Sequence, residues 1–264
     1  MKKLTTRFLS IIFLATALIG FQSCSKDGMA GDGDAITETE LQTILTTNEI
    51  SGVADFTIAE LYNNNAAKGT SAAKDDCYNA TYSETGFEAT FNNCVLNGTD
   101  NVNGTVSVTY EEGEGAGNAS FIATFTDFYV GSVKLNGTRT YDISANSTQA
   151  TGTFTVTSNM SVEIEDGYTI TENGTKTLSV SFDEESQNIL FSLTGNWTVE
   201  ADGNTYAVEI IEDLQGNSSC EHMTSGTMLA SKNGLAVTVD FGNGDCDDAA
   251  TIIYPNGATE EISL

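Results

Sequence analysis

An antiparallel all-β meander forming a β-sandwich or flattened barrel, preceded by a short N-terminal helical segment, is the fold class the sequence predicts. Two observations carry it: Thr-rich runs alternate apolar and polar residues from about residue 77 onward, and Asn-Gly or Asp-Gly pairs separate those runs at hairpin spacing. A third is that four trial hairpin registers bring apolar residues opposite apolar residues, one of them at its two ends only. The 264 residues are 39% hydrophobic and 18% charged, apolar enough to build one or two cored domains.

The first element is an address. Lys2, Lys3 and Arg7 precede a 13-residue apolar run, Phe8 to Gly20, too short to span a bilayer and typical of an export signal. The run ends in Phe21-Gln22-Ser23-Cys24, which resembles a bacterial lipobox, with Phe21 and Gln22 departing from the usual residues and Cys24 as the acylated residue. The reading is therefore a signal peptide over 1–23, lipid attachment at Cys24 and a flexible tether over 24–34, in which Gly28 to Asp34 are small and polar. Ser25-Lys26-Asp27-Gly28 has no retention Asp directly after the cysteine, and resembles a Lys-acid-acid surface-export signal with Gly28 in place of the second acid. Outer membrane, lipid-anchored, with a lean towards the cell surface, is the expected location.

Residues 35–70 read as helical. Thr37 and Glu40 have capping-box spacing and Leu41, Ile44 and Leu45 follow at helical intervals, which predicts a helix over about 38–48. Ser51 opens a second segment whose apolar residues, Val53, Phe56, Ile58, Leu61 and Tyr62, are loosely periodic before Asn63-Asn64-Asn65.

The β domain runs over 75–264. A three-residue loop at 165–167 pairs Ile164 with Tyr168, Val162 with Ile170 and Phe154 with Leu178; between these, Met160, Ser158 and Val156 meet Glu172, Gly174 and Lys176, a stretch expected to be exposed or bulged. Asp202-Gly203 pairs Val199 with Tyr206 and Trp197 with Val208. Asn233-Gly234 sets Ala230 opposite Val237 and Met228 opposite Val239. Pro255-Asn256-Gly257 sets Tyr254 across from Ala258 and Ala250 across from Ile262, with the single Pro outside any strand. Thr falls mostly on the face opposite the apolar one, so each sheet is expected to bury one side, as in a sandwich or barrel and unlike a parallel solenoid. The loose echo of Phe91-Asn92-Asn93-Cys94 in Phe241 to Cys246 raises the prospect of two related modules.

If Cys24 is acylated, Cys77, Cys94, Cys220 and Cys246 remain, and an even count in an exported chain implies two disulfides with three connectivities open. Proximity favours Cys77 with Cys94 and Cys220 with Cys246, each worth about 3 kcal/mol by loop closure. The absence of any Cys-x-x-Cys or Cys-x-x-His spacing argues against zinc.

The stretch Val239-Asp240-Phe241-Gly242-Asn243-Gly244-Asp245-Cys246-Asp247-Asp248, with Pro255-Asn256-Gly257 and the closing Glu260 to Leu264, resembles the C-terminal signature of a group of flavobacterial-type Bacteroidetes outer-membrane lipoproteins. Asp76 to Gly98 and Leu135 to Arg139 are similar to the N-terminal half of the same group. The resemblance implies location and architecture. It carries no activity.

Charge and composition remove several functions. A formal charge of −27, with no basic run past residue 7, leaves no footprint for nucleic acid, so the only partners expected are the membrane through the lipid anchor and a protein or glycan. A single histidine, His222, cannot build a multi-His metal site and stands beside no nucleophile motif. Asp240, Asp245, Asp247 and Asp248 are hard oxygen donors in a Gly-rich turn, candidates for a structural Ca²⁺, but lack EF-hand spacing, and a solvated turn is favoured. Acid pairs such as Glu111 with Glu112, Glu163 with Glu165, or Asp183 with Glu184 and Glu185 have the composition of a glycosidase site, yet sit beside turns or on outward positions. Gly113 to Gly117 is acidic and reads as a loop, not a phosphate cradle. Trp197 faces Val208 in the register and reads as core, against an exposed sugar-stacking platform. No catalytic constellation is recognisable. The expectation is a non-enzymatic lipoprotein with a structural, adhesion or binding role and no cofactor, and the alternatives are a glycan-binding or glycan-degrading accessory or a Ca²⁺-stabilised β module.

Overall fold

A computed structural model describes residues 36–68, 73–74, 77–95, 101–111, 118–146, 151–164, 168–220 and 222–264. One helix, α1 (Glu38–Lys68), precedes fourteen strands: β1 (Ala73–Lys74), β2 (Tyr78–Ser83), β3 (Gly86–Cys94), β4 (Val102–Glu111), β5 (Asn118–Val130), β6 (Val133–Asn146) and β7 (Thr151–Ile164). Then follow β8 (Tyr168–Asp183), β9 (Asn188–Ala201), β10 (Asn204–Asn217), β11 (Ser225–Lys232), β12 (Leu235–Asn243), β13 (Ala249–Ile253) and β14 (Thr259–Ser263). They form one antiparallel sheet in which spatial order equals chain order, with β1 and β14 at its two ends. The all-β antiparallel meander is thus as the alternation requires, and the sheet is not closed.

The hairpin registers are those the apolar matching dictates. Ile164 pairs with Tyr168, Val162 with Ile170 and Phe154 with Leu178; Val199 pairs with Tyr206 and Trp197 with Val208; Met228 pairs with Val239 and Ala230 with Val237; Ala250 pairs with Ile262. The two-residue turns carry positive φ at both positions, 52° and 73° at Asp202-Gly203 and 52° and 82° at Asn233-Gly234, the conformation that matches strand twist. On the outer face, Thr hydroxyls bond across strands, Thr155 with Thr177 at 3.0 Å and Thr157 with Thr175 at 3.1 Å.

The apolar face turns inward onto α1. Glu40 reaches Tyr206 on β10 and Lys232 on β11, while Gln42, two residues on, reaches Ser263 on β14. In a flat sheet β10 and β14 would stand roughly 19 Å apart, so the sheet must curl around the helix N-terminus. Further along, Ser51 and Asp55 meet β6 and β8, and the Leu61 carbonyl accepts a bond from the Tyr82 hydroxyl of β2. The helix therefore crosses nearly the whole hollow of the sheet. Two core clusters result: Ala54, Ile58 and Leu61 seat among aromatics of β2–β6 such as Phe87, Phe91, Phe125 and Phe128, and Ile36, Leu41 and Ile44 seat among Trp197, Val199, Met228 and Phe241. Strand bending of this degree uses glycine: Gly174 has φ 153°, and a Cβ there would lie 2.3 Å from the Trp197 Cα.

The capping box forms as its spacing requires, Thr37 N–H donating to Glu40 Oε2 at 2.9 Å and Glu40 N–H to Thr37 Oγ1 at 3.3 Å. The expected break between two helical segments does not occur; α1 is continuous over 31 residues. Its inward stripe is apolar at Leu41 and Ile44, then polar at Thr47 and Ser51, then apolar again at Ala54, Ile58 and Leu61. The polar interval, which in sequence looks like an end, faces a polar interval in the sheet.

Candidate functional site

That second interval is on β8. Glu172 and Lys176 stand between Ile170 and Leu178 on the inward face, opposite Met160 and Val156. The stretch expected to be exposed or bulged is neither: the β7–β8 register runs unbroken, and the Glu172 side chain is 0% exposed and that of Lys176 13%. The correction has a physical reason, because neighbouring elements bring compensating groups that no hairpin contains. Arg139 on β6, 2% exposed, gives its Nη2 to Glu172 Oε1 at 3.0 Å and its Nη1 to the Ser51 carbonyl at 3.0 Å and to Asp55 Oδ1 at 2.5 Å. Lys176 Nζ lies 2.8 Å from Glu172 Oε2 and 2.7 Å from Asn48 Oδ1. The Tyr141 hydroxyl donates to Asp55 at 2.6 Å, and the Ser51 hydroxyl to Glu172 at 3.4 Å. Two cations and two carboxylates make a charge-balanced cluster between helix and sheet.

Titration follows the geometry. Burial opposes ionisation of Glu172, yet Lys176 and Arg139 outweigh it and hold the carboxyl below its ordinary value. Burial disfavours the Arg139 cation too, but Asp55 and Glu172 raise its pKa above the usual value. Burial pushes the Lys176 ammonium down despite Glu172. Burial and the Asp55 charge push the Tyr141 phenol well up. These groups are engaged with one another, so the cluster orders the helix on the sheet and presents no free acid or base.

Beside the cluster lies a cavity. Lys176 Nζ sits 4.4 Å from the Trp197 ring centroid, and Trp197 also lines a groove of about 610 Å³ that opens between α1 and β8–β12, reaching the end of β14. Ile44 and Leu45 form its helix wall; Leu178, Phe191, Leu193, Trp197, Leu214, Met228 and Phe241 form its sheet wall. Its polar lining residues are Gln42, Thr46, Asn48, Asn217, His222 and Ser263. No Asp, Glu, Lys or Arg is among the described lining residues. Trp197 is core, as its pairing implies, and at the same time part of this wall; its buried Nε1 donor has no acceptor among the described residues.

The remaining sequence candidates are placed as follows. Cys24, the signal segment over 1–23, the tether and the Gly113 to Gly117 loop lie outside the described residues. Cys77 pairs with Cys94 and Cys220 with Cys246, with Cα atoms 5.1 and 5.2 Å apart, which selects one of the three connectivities. The Asp turn does not converge. Asp240 accepts the Gly242 N–H, Asp247 the Ala249 N–H and Asp248 the Ser263 hydroxyl, and no group of three metal-ligating side chains forms among the described residues. Asp183 accepts bonds from Glu185 N–H and from the Ser186 N–H and hydroxyl, a turn role, and Glu111 accepts from Ser120.

The chain matches no family model, no curated protein and no solved structure with which it was compared. Its site is therefore read from its own geometry. Sequence reasoning overlooked both the charge cluster and the groove, although one signal for the cluster was legible: polar residues at inward register positions of β8 and of the helix stripe alike.

Proposed function

We propose that this protein is a non-enzymatic lipoprotein, anchored through Cys24 in the outer membrane and facing either the periplasm or the exterior, that binds an apolar ligand beneath its helix. The observation that carries the binding role is the groove: its volume falls in the range of small-molecule sites, its walls are largely apolar, and a few neutral polar groups line it. The apolar run ending at Cys24 supports the anchor. The titratable groups near the groove, Glu172, Lys176, Arg139 and Asp55, are held by each other, which supports a role without acid–base chemistry. A glycan-degrading role finds no support in the groove, since two carboxylates astride a sugar bond are needed and its described lining has none.

Mass spectrometry of the protein purified from its own envelope tests both parts. An acylated N-terminal Cys24 peptide and an apolar compound extracted in roughly equimolar amount are expected. An unmodified Cys24 thiol would remove the anchor, and a protein that yields no extractable compound and takes up no apolar probe would remove the binding role.

A further inference from the structure

We infer that the groove takes a neutral single-chain lipid, a monoacylglycerol or similar acyl ester, with its polar end at Trp197 and Asn48 and its chain along the inner faces of β8 and β9. This rests on the apolar-ligand reading above and names the ligand's class.

The first argument is shape. Because inward residues alternate, Trp197, Leu193, Phe191 and Ile189 form one row on β9, and Leu178, Val180 and Phe182 extend the β8 row beside it, with Phe182 paired to Ile189 and Val180 to Phe191. Leu178, Leu193 and Phe191 belong to the groove. Beyond them Phe182 and Ile189 are 46% and 42% exposed, although they stand on the face that elsewhere forms the core. From Trp197 to Ile189 the row runs roughly 26 Å at strand rise. A long, narrow apolar track that begins in a cavity and ends in solvent suits an extended hydrocarbon chain better than a compact ring system.

The second argument is charge. A buried ionised head needs a counter-charge, and the described lining has none. Lys176 is not among the lining residues and is already held by Glu172 and Asn48, and the whole chain at −27 repels anions. A free fatty acid anion is thereby disfavoured. The third argument is the orphan donor: Trp197 Nε1 is a buried N–H without an acceptor among the described residues, and Trp197 lines the same groove as Asn48. An ester or hydroxyl oxygen supplies what such a donor lacks.

Trp197 is the chain's single tryptophan, so the test can be read from it. The probes are the monoglyceride of 2-bromopalmitic acid, whose bromine sits beside the ester, and 2-bromopalmitate itself, below their aggregation limits, titrated at pH 8 into the chain from residue 24 carrying Cys24→Ser, which retains every described residue and has no acyl group of its own. Bromine quenches tryptophan on contact. Expected is saturable loss of at least half the emission with the monoglyceride, competition by unbrominated monopalmitin, and at least tenfold weaker binding of the anion. Leu193→Gln in the track and Phe182→Ser at its mouth should each weaken binding at least tenfold, with folding checked by circular dichroism, while Leu190→Gln on the outer face leaves it unchanged. Absence of saturable quenching by the monoglyceride, or equal or tighter binding of the anion, overturns the inference. Neutral N-phenyl-1-naphthylamine is the compact control: energy transfer to it from Trp197 without monoglyceride binding leaves the apolar-ligand reading standing and removes the acyl ester, and failure of both probes removes both.

Discussion

Glu172→Gln isolates the charge cluster. The side chain is 0% exposed and its carboxylate takes Arg139 Nη2 at 3.0 Å and Lys176 Nζ at 2.8 Å. The substitution keeps the volume and removes the charge, which leaves Arg139 with Asp55 but Lys176 with neutral partners alone, the Asn48 oxygen and the Trp197 ring. An ammonium stranded in the interior is the expensive part, and loss of one partner of a buried pair costs about 3–5 kcal/mol. For a chain of this size, that lowers Tm by about 10 °C. Guanidinium unfolding monitored at Trp197, with calorimetry for Tm, measures it. The paired variant Glu172→Gln with Lys176→Met removes the stranded cation as well, and more than half of the loss should return. The acid limb checks the same point: Glu172 is held below its unfolded value, so its contribution is complete above the ordinary carboxylate pKa of about 4.3 and is lost as pH falls below it. Glu172→Gln should flatten that limb. A single-variant loss under about 1 kcal/mol, or a paired variant less stable than the single one, would refute the claim that cluster and helix are coupled through this carboxylate.

Burial raises the Glu40 pKa, but the bonds from Lys232, Thr37 and Tyr206 outweigh it and bring the pKa from 4.5 to about 2; its stabilisation is present above pH 4.5 and fades towards pH 2, so Glu40→Gln should lose less stability than wild type between those values in acid titration by circular dichroism. Thr37→Ala removes the reciprocal cap and should lower unfolding free energy by about 1 kcal/mol in urea. Cys94→Ser opens the Cys77 loop and should cost about 3 kcal/mol by the same assay, with reducing agent having no further effect at that bridge. Gly174→Ala puts a methyl against the Trp197 backbone in a left-handed conformation; a loss of about 1–3 kcal/mol, with a shifted Trp197 emission maximum, is expected.

Particular residues show how much was legible in advance. The pairing of Trp197 with Val208, or of Ala250 with Ile262, needs only a turn type and a period of two, both local properties of the chain. The Thr37–Glu40 cap is equally local. Cys77 with Cys94 was the proximate choice of three, and only the placement of β2 beside β3 selected it. Glu172 and Lys176 were misjudged because their partners lie on β6 and on the helix, 33 and more residues away in the chain. Ser51, read as the opening of a second helical segment, was misjudged for the mirror-image reason. Each interruption looks like a defect when one element is read alone, and the two cancel when helix and sheet are packed.

The sequence by itself determined the all-β meander, the register of four hairpins and the helix start, because those depend on periodicity, turn chemistry and neighbours a few residues apart. The tertiary structure decided that the sheet curls around one continuous helix, that buried charge joins them, and that an apolar groove remains between them. Those features arise from contacts between elements far apart in the chain, where curvature, volume and charge balance are set by every strand at once.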